Sequence, residues 1–233
     1  MVLLGTLVNA ALIAIGSIIG RFLPNIPQKV KETVMSGIGL AVVAMGVQMT
    51  FKSEQYIIVI LSIVIGAVIG EWIDLEKHLN NLGNWIESKM KPKEGASISQ
   101  GFVTATLIFC VGSMAILGAL DSGIRQDHNL LITKGILDGF TSIVLSSTLG
   151  IGVLFSAVPI ILYQGVMALL ATQIDMWVPA GLMDMFIAEM TATGGLMIVT
   201  IGSNIMGLTK IRSANLLPGI LMVGILVSIV YYF

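Results

Sequence analysis

The stretch VLLGTLVNAALIAIGSIIGRF, residues 2–22, decides the fold class of this chain. It is almost entirely apolar, and a helix needs about 20 such residues to cross the hydrocarbon core of a membrane. Similar stretches recur along the chain, which has 56% hydrophobic residues, 11% charged residues and a mean hydropathy of +0.97. Soluble domains carry about 25% charged residues. The composition therefore predicts an all-α, polytopic membrane helix bundle.

Eight apolar segments are predicted to cross the membrane. They cover residues 2–22, 34–51, 56–74, 101–122, 135–149, 152–172, 191–208 and 216–232. The fifth segment is short, and only an uncharged turn around Gly150 separates it from the sixth. The whole chain, residues 1–233, is predicted to be a single integral membrane domain.

The basic residues predict the orientation of the segments, because cytoplasmic loops carry an excess of Lys and Arg. With eight crossings, nine of the 12 Lys and Arg residues fall on one side. We expect that side to be the cytoplasm, which places both termini outside. Seven of the 13 acidic residues lie toward the outer side. These acidic residues either have no functional role and lie where Lys and Arg are scarce, or they form an outer vestibule that attracts cations.

A tripeptide of an aliphatic residue, Gly and Ser occurs three times inside apolar segments. The copies are Ile15-Gly16-Ser17, Val111-Gly112-Ser113 and Ile201-Gly202-Ser203. Their spacing predicts repeat units at about 1–97, 98–187 and 188–233, of which the third is partial. Three crossings per unit would invert the second unit relative to the first, as in many secondary transporters. The alternative is coincidence, since Gly, Ser and Ile are common in membrane helices.

Glycine and serine at these positions favour close helix packing, because glycine lets backbones approach and a serine hydroxyl can bond a neighbouring carbonyl. The predicted helix-packing residues are Gly16, Ser17, Gly112, Ser113 and Gly202. Alternatively, the helices that carry the motif frame a central cavity. The same small-residue faces are compatible with a homodimer or with packing inside one chain.

Polar side chains within or at the ends of the segments are the candidates for a binding site, since such residues are costly in lipid. The predicted solute- or ion-binding residues are Asn9, Asp121, Asp138, Glu189, Thr191, Thr193, Ser203 and Asn204. Asp138 and Glu189 are the candidates for holding a coupling cation. Lys134 precedes Asp138 by four residues on one predicted helix, so a purely structural pair is the alternative account of Asp138.

The stretch from Glu189 to Gly195 places an acid, two hydroxyls and a glycine pair at the predicted start of the seventh segment. It predicts either a broken helix whose carbonyls bind a cation, or a plain helix N-terminus with an acid near its dipole. Pro159 is expected to kink the sixth segment. Residues 76–90 predict an amphipathic helix at the cytoplasmic surface, and residues 177–190 are expected on the outer side or dipping into the membrane.

Several longer motifs occur together in the chain. They are Asp138-Gly139, residues 112–118, residues 149–157, Tyr163-Gln164-Gly165 and residues 193–204. In combination they resemble the YdfK/YqgA family of bacterial inner-membrane proteins, and the resemblance covers nearly the whole chain. It implies a bacterial cytoplasmic membrane and a single integral domain. The family is one of unknown function in which transport is suspected, and it carries over no established site residues.

The residues argue against an enzyme. The chain has no HExxH, P-loop, GxSxG or Rossmann motif, and Cys110 is its single cysteine, which excludes a cysteine-rich metal site. We predict no cofactor, no metal and no nucleic-acid partner. The predicted function is a small secondary transporter or ion-coupled permease, whose partners are the lipid bilayer and a small solute or monovalent cation. A channel-like pore and a non-transporting membrane scaffold or sensor stay open as alternatives.

Overall fold

The computed structural model describes residues 1–22, 28–90, 98–110 and 113–233. Every regular element in these ranges is helical, so the all-α prediction is confirmed for them. The helices are α1 (Leu4–Phe22), α2 (Gln28–Thr50), α3 (Tyr56–Ile73), α4 (Leu75–Met90), α5 (Ile98–Cys110), α6 (Ser113–Ile124), α7 (Asn129–Leu149), α8 (Ala157–Leu169), α9 (Ala171–Trp177), α10 (Ala180–Ile205) and α11 (Pro218–Tyr232). Short 3₁₀ helices, Ile151–Ser156 and Ser213–Leu216, lead into α8 and α11.

Six helical segments of the described chain are long and apolar enough to cross a membrane. They are Leu4–Phe22, Tyr56–Ile73, Asn129–Leu149, Ile151–Leu169, Ala180–Ile205 and Ser213–Tyr232. The helices α5 and α6, bent by 63° relative to each other, make a seventh if they form one broken span. In α2 the apolar part, Ser36–Thr50, is shorter. The described residues thus provide six or seven candidate spans where eight were predicted.

The chain divides into two compact units, each assembled from separate stretches. Unit 1 comprises Met1–Gln28, Leu79–Cys110 and Met114–Trp177, and unit 2 comprises Lys29–His78, Val111–Ser113 and Val178–Phe233. Each unit combines early and late parts of the chain. The predicted repeat, which concerns consecutive stretches of sequence, stays a prediction.

In unit 1, α1 packs along α7 through small residues. A Cβ atom at Gly16 would collide with the carbonyl oxygen of Gly139, so the two backbones touch directly at this point. Nearer the helix starts, a Cβ atom at Gly5 would lie 2.9 Å from the Cβ of Leu131. The earlier residue of α1 contacts the earlier residue of α7 and the later residue contacts the later one, so α1 and α7 are parallel. α1 also packs against α8 and against the 3₁₀ helix that precedes α8.

In unit 2, α2 and α10 meet through two pairs of glycines. A Cβ atom at Gly46 would lie 2.6 Å from the carbonyl oxygen of Gly195, and one at Gly202 would lie 2.7 Å from that of Gly39. Contacts this close require glycine, because a real Cβ atom would force the helices apart. The later residue of α2 meets the earlier residue of α10, so these two helices are antiparallel.

A second antiparallel pair in unit 2 is formed by α3 and α11. Gly66 lies against Gly219, and Gly70 lies against the backbone of Asn215 at the 3₁₀ helix before α11. Both glycines of α3 are buried. Gly66 and Gly70 are four residues apart, so this small-residue face of α3 packs against α11 within the chain.

Both interpretations of residues 189–195, a broken helix and a helix N-terminus, are wrong. The helix α10 runs without a break from Ala180 to Ile205, so Gly195 and its neighbour do not interrupt it, and Glu189 lies well inside it instead of at its start. Gly195 instead allows the intact helix to pack closely against α2. Most of residues 177–190, expected on the outer side or dipping into the membrane, belong to this same helix.

The boundary between α7 and α8 lies at Gly150, as predicted. Gly150 has φ 83°, a conformation that glycine adopts easily, and it ends α7. The helix before it begins at Asn129, so this segment is longer than expected. Pro159 does not kink a long helix, because it lies in the first turn of α8, directly after the 3₁₀ segment. Backbone N–H groups in a first turn lack intrahelical partners, so proline is tolerated there.

Candidate functional site

Four polar side chains meet inside unit 1 on three helices that lie in candidate membrane spans. Asn9 lies on α1, Lys134 and Asp138 on α7, and Gln164 on α8. They expose only 0%, 6%, 7% and 0% of their surface, respectively. Asn9 lies against α7, since a Cβ atom at Gly135 would lie 2.9 Å from the Cα of Asn9. The parallel packing of α1 and α7 thus brings Asn9 close to the turn of α7 that carries Lys134 and Asp138. We call Asn9, Lys134, Asp138 and Gln164 the polar cluster.

The charged part of the polar cluster is an ion pair within one helix. The Lys134 Nζ lies 2.5 Å from the Asp138 Oδ2, at the i, i+4 spacing. The Asn9 side chain lies close to the Asp138 carboxylate. The two charges cancel, so the cluster holds a positive and a negative group with no net charge. The structural pairing considered for Asp138 in the sequence is therefore present.

The amide part of the polar cluster is only half satisfied. The Asn9 Nδ2 donates a hydrogen bond of 3.3 Å to the Gln164 Oε1. The Asn9 Oδ1 and the Gln164 Nε2 have no hydrogen-bond partner among the described residues. Buried polar atoms are nearly always paired, and each unpaired one costs about 1–3 kcal/mol. The polar cluster therefore presents one free acceptor and one free donor beside its ion pair.

Glu189, the second buried acid among the candidates, is engaged elsewhere. Its Oε2 accepts a 2.5 Å hydrogen bond from the Ser53 hydroxyl, and its Oε1 accepts 2.9 and 2.8 Å bonds from the backbone N–H groups of Glu54 and Gln55. These groups precede α3, whose first N–H groups need acceptors. The buried carboxylate thus holds the α2–α3 connection in place within unit 2.

The remaining unit 2 candidates do not form one site. Asn204 organises the loop that follows α10, since its Nδ2 donates to the carbonyl oxygen of Ile211 at 2.6 Å and its Oδ1 accepts from the N–H of the same residue at 3.0 Å. Ser203 is half-buried beside it. Thr191 and Thr193 are buried on α10, and their hydroxyls have no partner among the described residues.

The last candidates are Asp121 and the predicted packing residues. Asp121, at the end of α6 in unit 1, is half-exposed and has its Oδ1 3.8 Å from the Nη1 of Arg125. Of the predicted packing residues, Gly16 and Gly202 contact the neighbouring helix backbone, as described above. Ser17 is fully buried, and its carbonyl oxygen accepts a 2.8 Å bond from a serine of α7. Gly112 and the side chain of Ser113 lie outside the described residues.

The chain matches a known family over almost its full length. The family described as "Protein of unknown function (DUF554)" matches residues 4–228. This chain belongs to the DUF554 family. The Bacillus subtilis (strain 168) relative named "Uncharacterized membrane protein YdfK" is 33% identical, over 98% of this chain and 97% of the relative. The Escherichia coli (strain K12) "Uncharacterized protein YqgA" is 29% identical, over 94% of each. No solved structure matches.

The comparisons confirm the resemblance noted from the sequence motifs, and with the apolar helices they make this DUF554 chain a membrane protein. The described part of the chain contains no group of three His, Cys, Asp or Glu side chains that could hold a metal. The polar cluster of this family member offers hydrogen-bonding groups and a buried charge pair.

Sequence reasoning on this DUF554 chain missed Gln164 as a site residue. Its contact with Asn9 joins positions 155 residues apart, which no local pattern reveals. The available signal was a polar, uncharged side chain in an apolar segment, next to a tyrosine and a glycine. The donors to Glu189 were missed for the same reason, because they lie in a loop at least 134 residues away.

Proposed function

We propose that this protein is a small secondary transporter, an ion-coupled permease of the bacterial cytoplasmic membrane, whose solute site is the polar cluster. The observation that carries the proposal is the buried Lys134–Asp138 pair beside two unpartnered amide atoms, inside helices that are long and apolar enough to span a membrane. Ionisable residues within membrane segments are rare and mark substrate and ion pathways. Unpartnered polar atoms next to them supply hydrogen bonds that a solute can use.

A scaffold is a weaker explanation of the same residues. A buried ion pair contributes little stability, and replacing it with apolar residues is often neutral or stabilising by about 1–4 kcal/mol. A protein that only needed a stable helix contact between α1 and α7 has that contact already at Gly16 and Gly139. The polar cluster adds cost to the fold, which favours a role in binding.

Cation coupling belongs to this proposal at Asp138 and not at Glu189. The oxygens of Glu189 are engaged by three donors of the α2–α3 connection. Asp138 has one mobile partner, the ammonium group of Lys134. A cation reaches the Asp138 carboxylate when that ammonium group moves to another anion.

We include eight crossings, with both termini outside, in the proposal. The directions of the packed helices support this count: α1 and α7 are parallel, whereas α2 with α10 and α3 with α11 are antiparallel. The number of crossings depends on two elements that can either cross the membrane or stay on one side: α2, and the bent pair of α5 and α6. A chain in which both cross has all three observed directions, which supports eight crossings. With eight crossings, the excess of Lys and Arg on one side favours termini on the outside.

Solute release from liposomes tests the transporter proposal. Purified protein is reconstituted into liposomes loaded with a mixture of amino acids, amines, organic acids and sugars, and each released compound is quantified by mass spectrometry. The wild type is expected to release a subset of the mixture faster than protein-free liposomes do. The matched variant is Lys134→Met/Asp138→Asn, which removes both charges together and should release none.

The alternatives give different results in the same experiment. A pore would release most small solutes without selection and would show single-channel currents in a planar bilayer. A scaffold would release nothing above the protein-free control, and that result with folded wild-type protein contradicts the proposed function.

A further inference from the structure

We infer that the transported solute is a zwitterion, a small molecule with one ammonium and one carboxylate group a few atoms apart, as in an amino acid. The inference rests on the proposed transport function and names the substrate class of the same site. It follows from which hydrogen-bonding groups the polar cluster presents and from their charges.

The polar cluster presents two acceptors and two donors to a solute. The acceptors are the Asp138 carboxylate and the unpartnered Asn9 Oδ1, and the donors are the Lys134 ammonium and the unpartnered Gln164 Nε2. An ammonium group only donates and a carboxylate only accepts. The acceptors therefore fit an ammonium group, and the donors fit a carboxylate. Each end of the solute would receive one charged and one neutral partner.

The net charge of the site supports the same class of solute. Without solute, Lys134 and Asp138 neutralise each other inside unit 1, where they are 6% and 7% exposed. A zwitterion inserted between them exchanges one ion pair for two, and the site stays neutral. A solute with a single charge would leave one protein charge or its own charge uncompensated within the membrane, which is costly. The polar cluster thus selects against simple amines and simple carboxylic acids.

The empty state also fits a carrier for zwitterions. Because the pair closes on itself at 2.5 Å, the unloaded site carries no exposed charge that has to cross the membrane. The ammonium group of the solute then takes the place of the Lys134 ammonium at Asp138.

Thermal stability of the purified protein tests the inference directly. The first probes are the proteinogenic amino acids and glycine betaine. For each probe that binds, two analogues follow: the amine that lacks the carboxylate group and the carboxylic acid that lacks the amino group. We expect a saturable rise in the unfolding temperature with at least one amino acid. The matching amine and acid should bind at least about a hundredfold more weakly, because each leaves buried polar groups of the site unpaired.

Two variants make the test specific to the polar cluster. Lys134→Met/Asp138→Asn removes both charges, so the net charge of the site stays zero and the variant is expected to fold. It should lose the rise in unfolding temperature with the amino acid. Arg125→Met removes an exposed partner at the same i, i+4 spacing, 3.8 Å from Asp121, and should keep the response. An amino-acid response that survives in the double variant overturns the assignment to this site.

The liposome experiment separates failure of this inference from failure of the proposed function. Release of singly charged or uncharged solutes, with every zwitterion retained, overturns the zwitterion inference and leaves transport standing. Release of no solute at all contradicts transport and the inference together. Release of zwitterions by the wild type, and not by the double variant, supports both.

Discussion

Breaking the buried ion pair from one side should cost much more than removing it entirely. Lys134→Met leaves the Asp138 carboxylate buried without a counter-charge, and Asp138→Asn does the same to the Lys134 ammonium group. The double variant leaves no charge behind. The three variants therefore separate the cost of an unpaired charge from the loss of the contact itself.

The expected size follows from the burial of both side chains. Removing one partner of a buried pair costs about 3–5 kcal/mol, whereas replacing both by apolar residues of similar volume is often neutral or stabilising by about 1–4 kcal/mol. A change of 1 kcal/mol shifts the unfolding temperature by roughly 2–4 °C in a chain of this size. Each single variant should thus unfold roughly 6–20 °C below the wild type, and Lys134→Met/Asp138→Asn should unfold at or above it.

The assay is thermal unfolding of purified protein in one detergent, followed by the loss of soluble, monodisperse protein. The chain offers a matched control in Asp121 and Arg125, which share the i, i+4 spacing but are exposed by 33% and 77% at their side chains. Arg125→Met should cost about 0–1 kcal/mol, the range for exposed pairs. Single variants of the buried pair that match this control, or a double variant less stable than either single one, would refute the reasoning.

Three further predictions concern stability elsewhere. Gly16→Ala should destabilise the protein by about 1–3 kcal/mol and lower its unfolding temperature, because the added Cβ atom would collide with α7. Gly37→Ala, where nothing lies within 4 Å of the added Cβ atom, should be neutral or stabilising by up to about 1 kcal/mol. Equal effects of the two substitutions would contradict the packing of α1 on α7. Glu189→Ala should destabilise by at least about 1.5–3 kcal/mol, since three donors lose a charged acceptor, and limited proteolysis should detect the loosened α2–α3 connection; unchanged cleavage there would count against the anchoring role. Burial raises the pKa of the Glu76 carboxyl on α4, so the folded state holds this proton more tightly than the unfolded chain, and the stability that it contributes is lost as the pH rises through the raised pKa. Glu76→Gln should therefore unfold at a higher temperature than the wild type at neutral pH, with a difference that disappears below the ordinary Glu pKa of about 4.3; a difference that does not change with pH would contradict this.

The helices could be predicted from the sequence because membrane crossing imposes a strong, local signal. The run of residues 2–22 corresponds to Leu4–Phe22, and Gly150 marks the end of α7 as expected. The failure at Gly195 has a physical cause. A glycine pair permits a broken helix and also permits close packing of an intact one, and only the position of α2 decides between them.

The site could be predicted in part. Asn9 and Asp138 were expected to be functional because they are polar residues in apolar segments, and the pair with Lys134 follows from helical spacing. The grouping was not predictable. Glu189 and Asn204 have the same sequence character as Asp138, yet their side chains are engaged with nearby loops. Such partners depend on tertiary contacts between distant stretches, which a single sequence does not encode in any local pattern.

The most direct test of the central claim is the initial rate of solute release from liposomes, measured side by side for the wild type and for Lys134→Met/Asp138→Asn at equal amounts of folded protein. The account predicts that the wild type releases zwitterionic solutes and that the double variant releases them no faster than protein-free liposomes. Equal release by the two proteins would show that the polar cluster is not the solute site and would contradict the account.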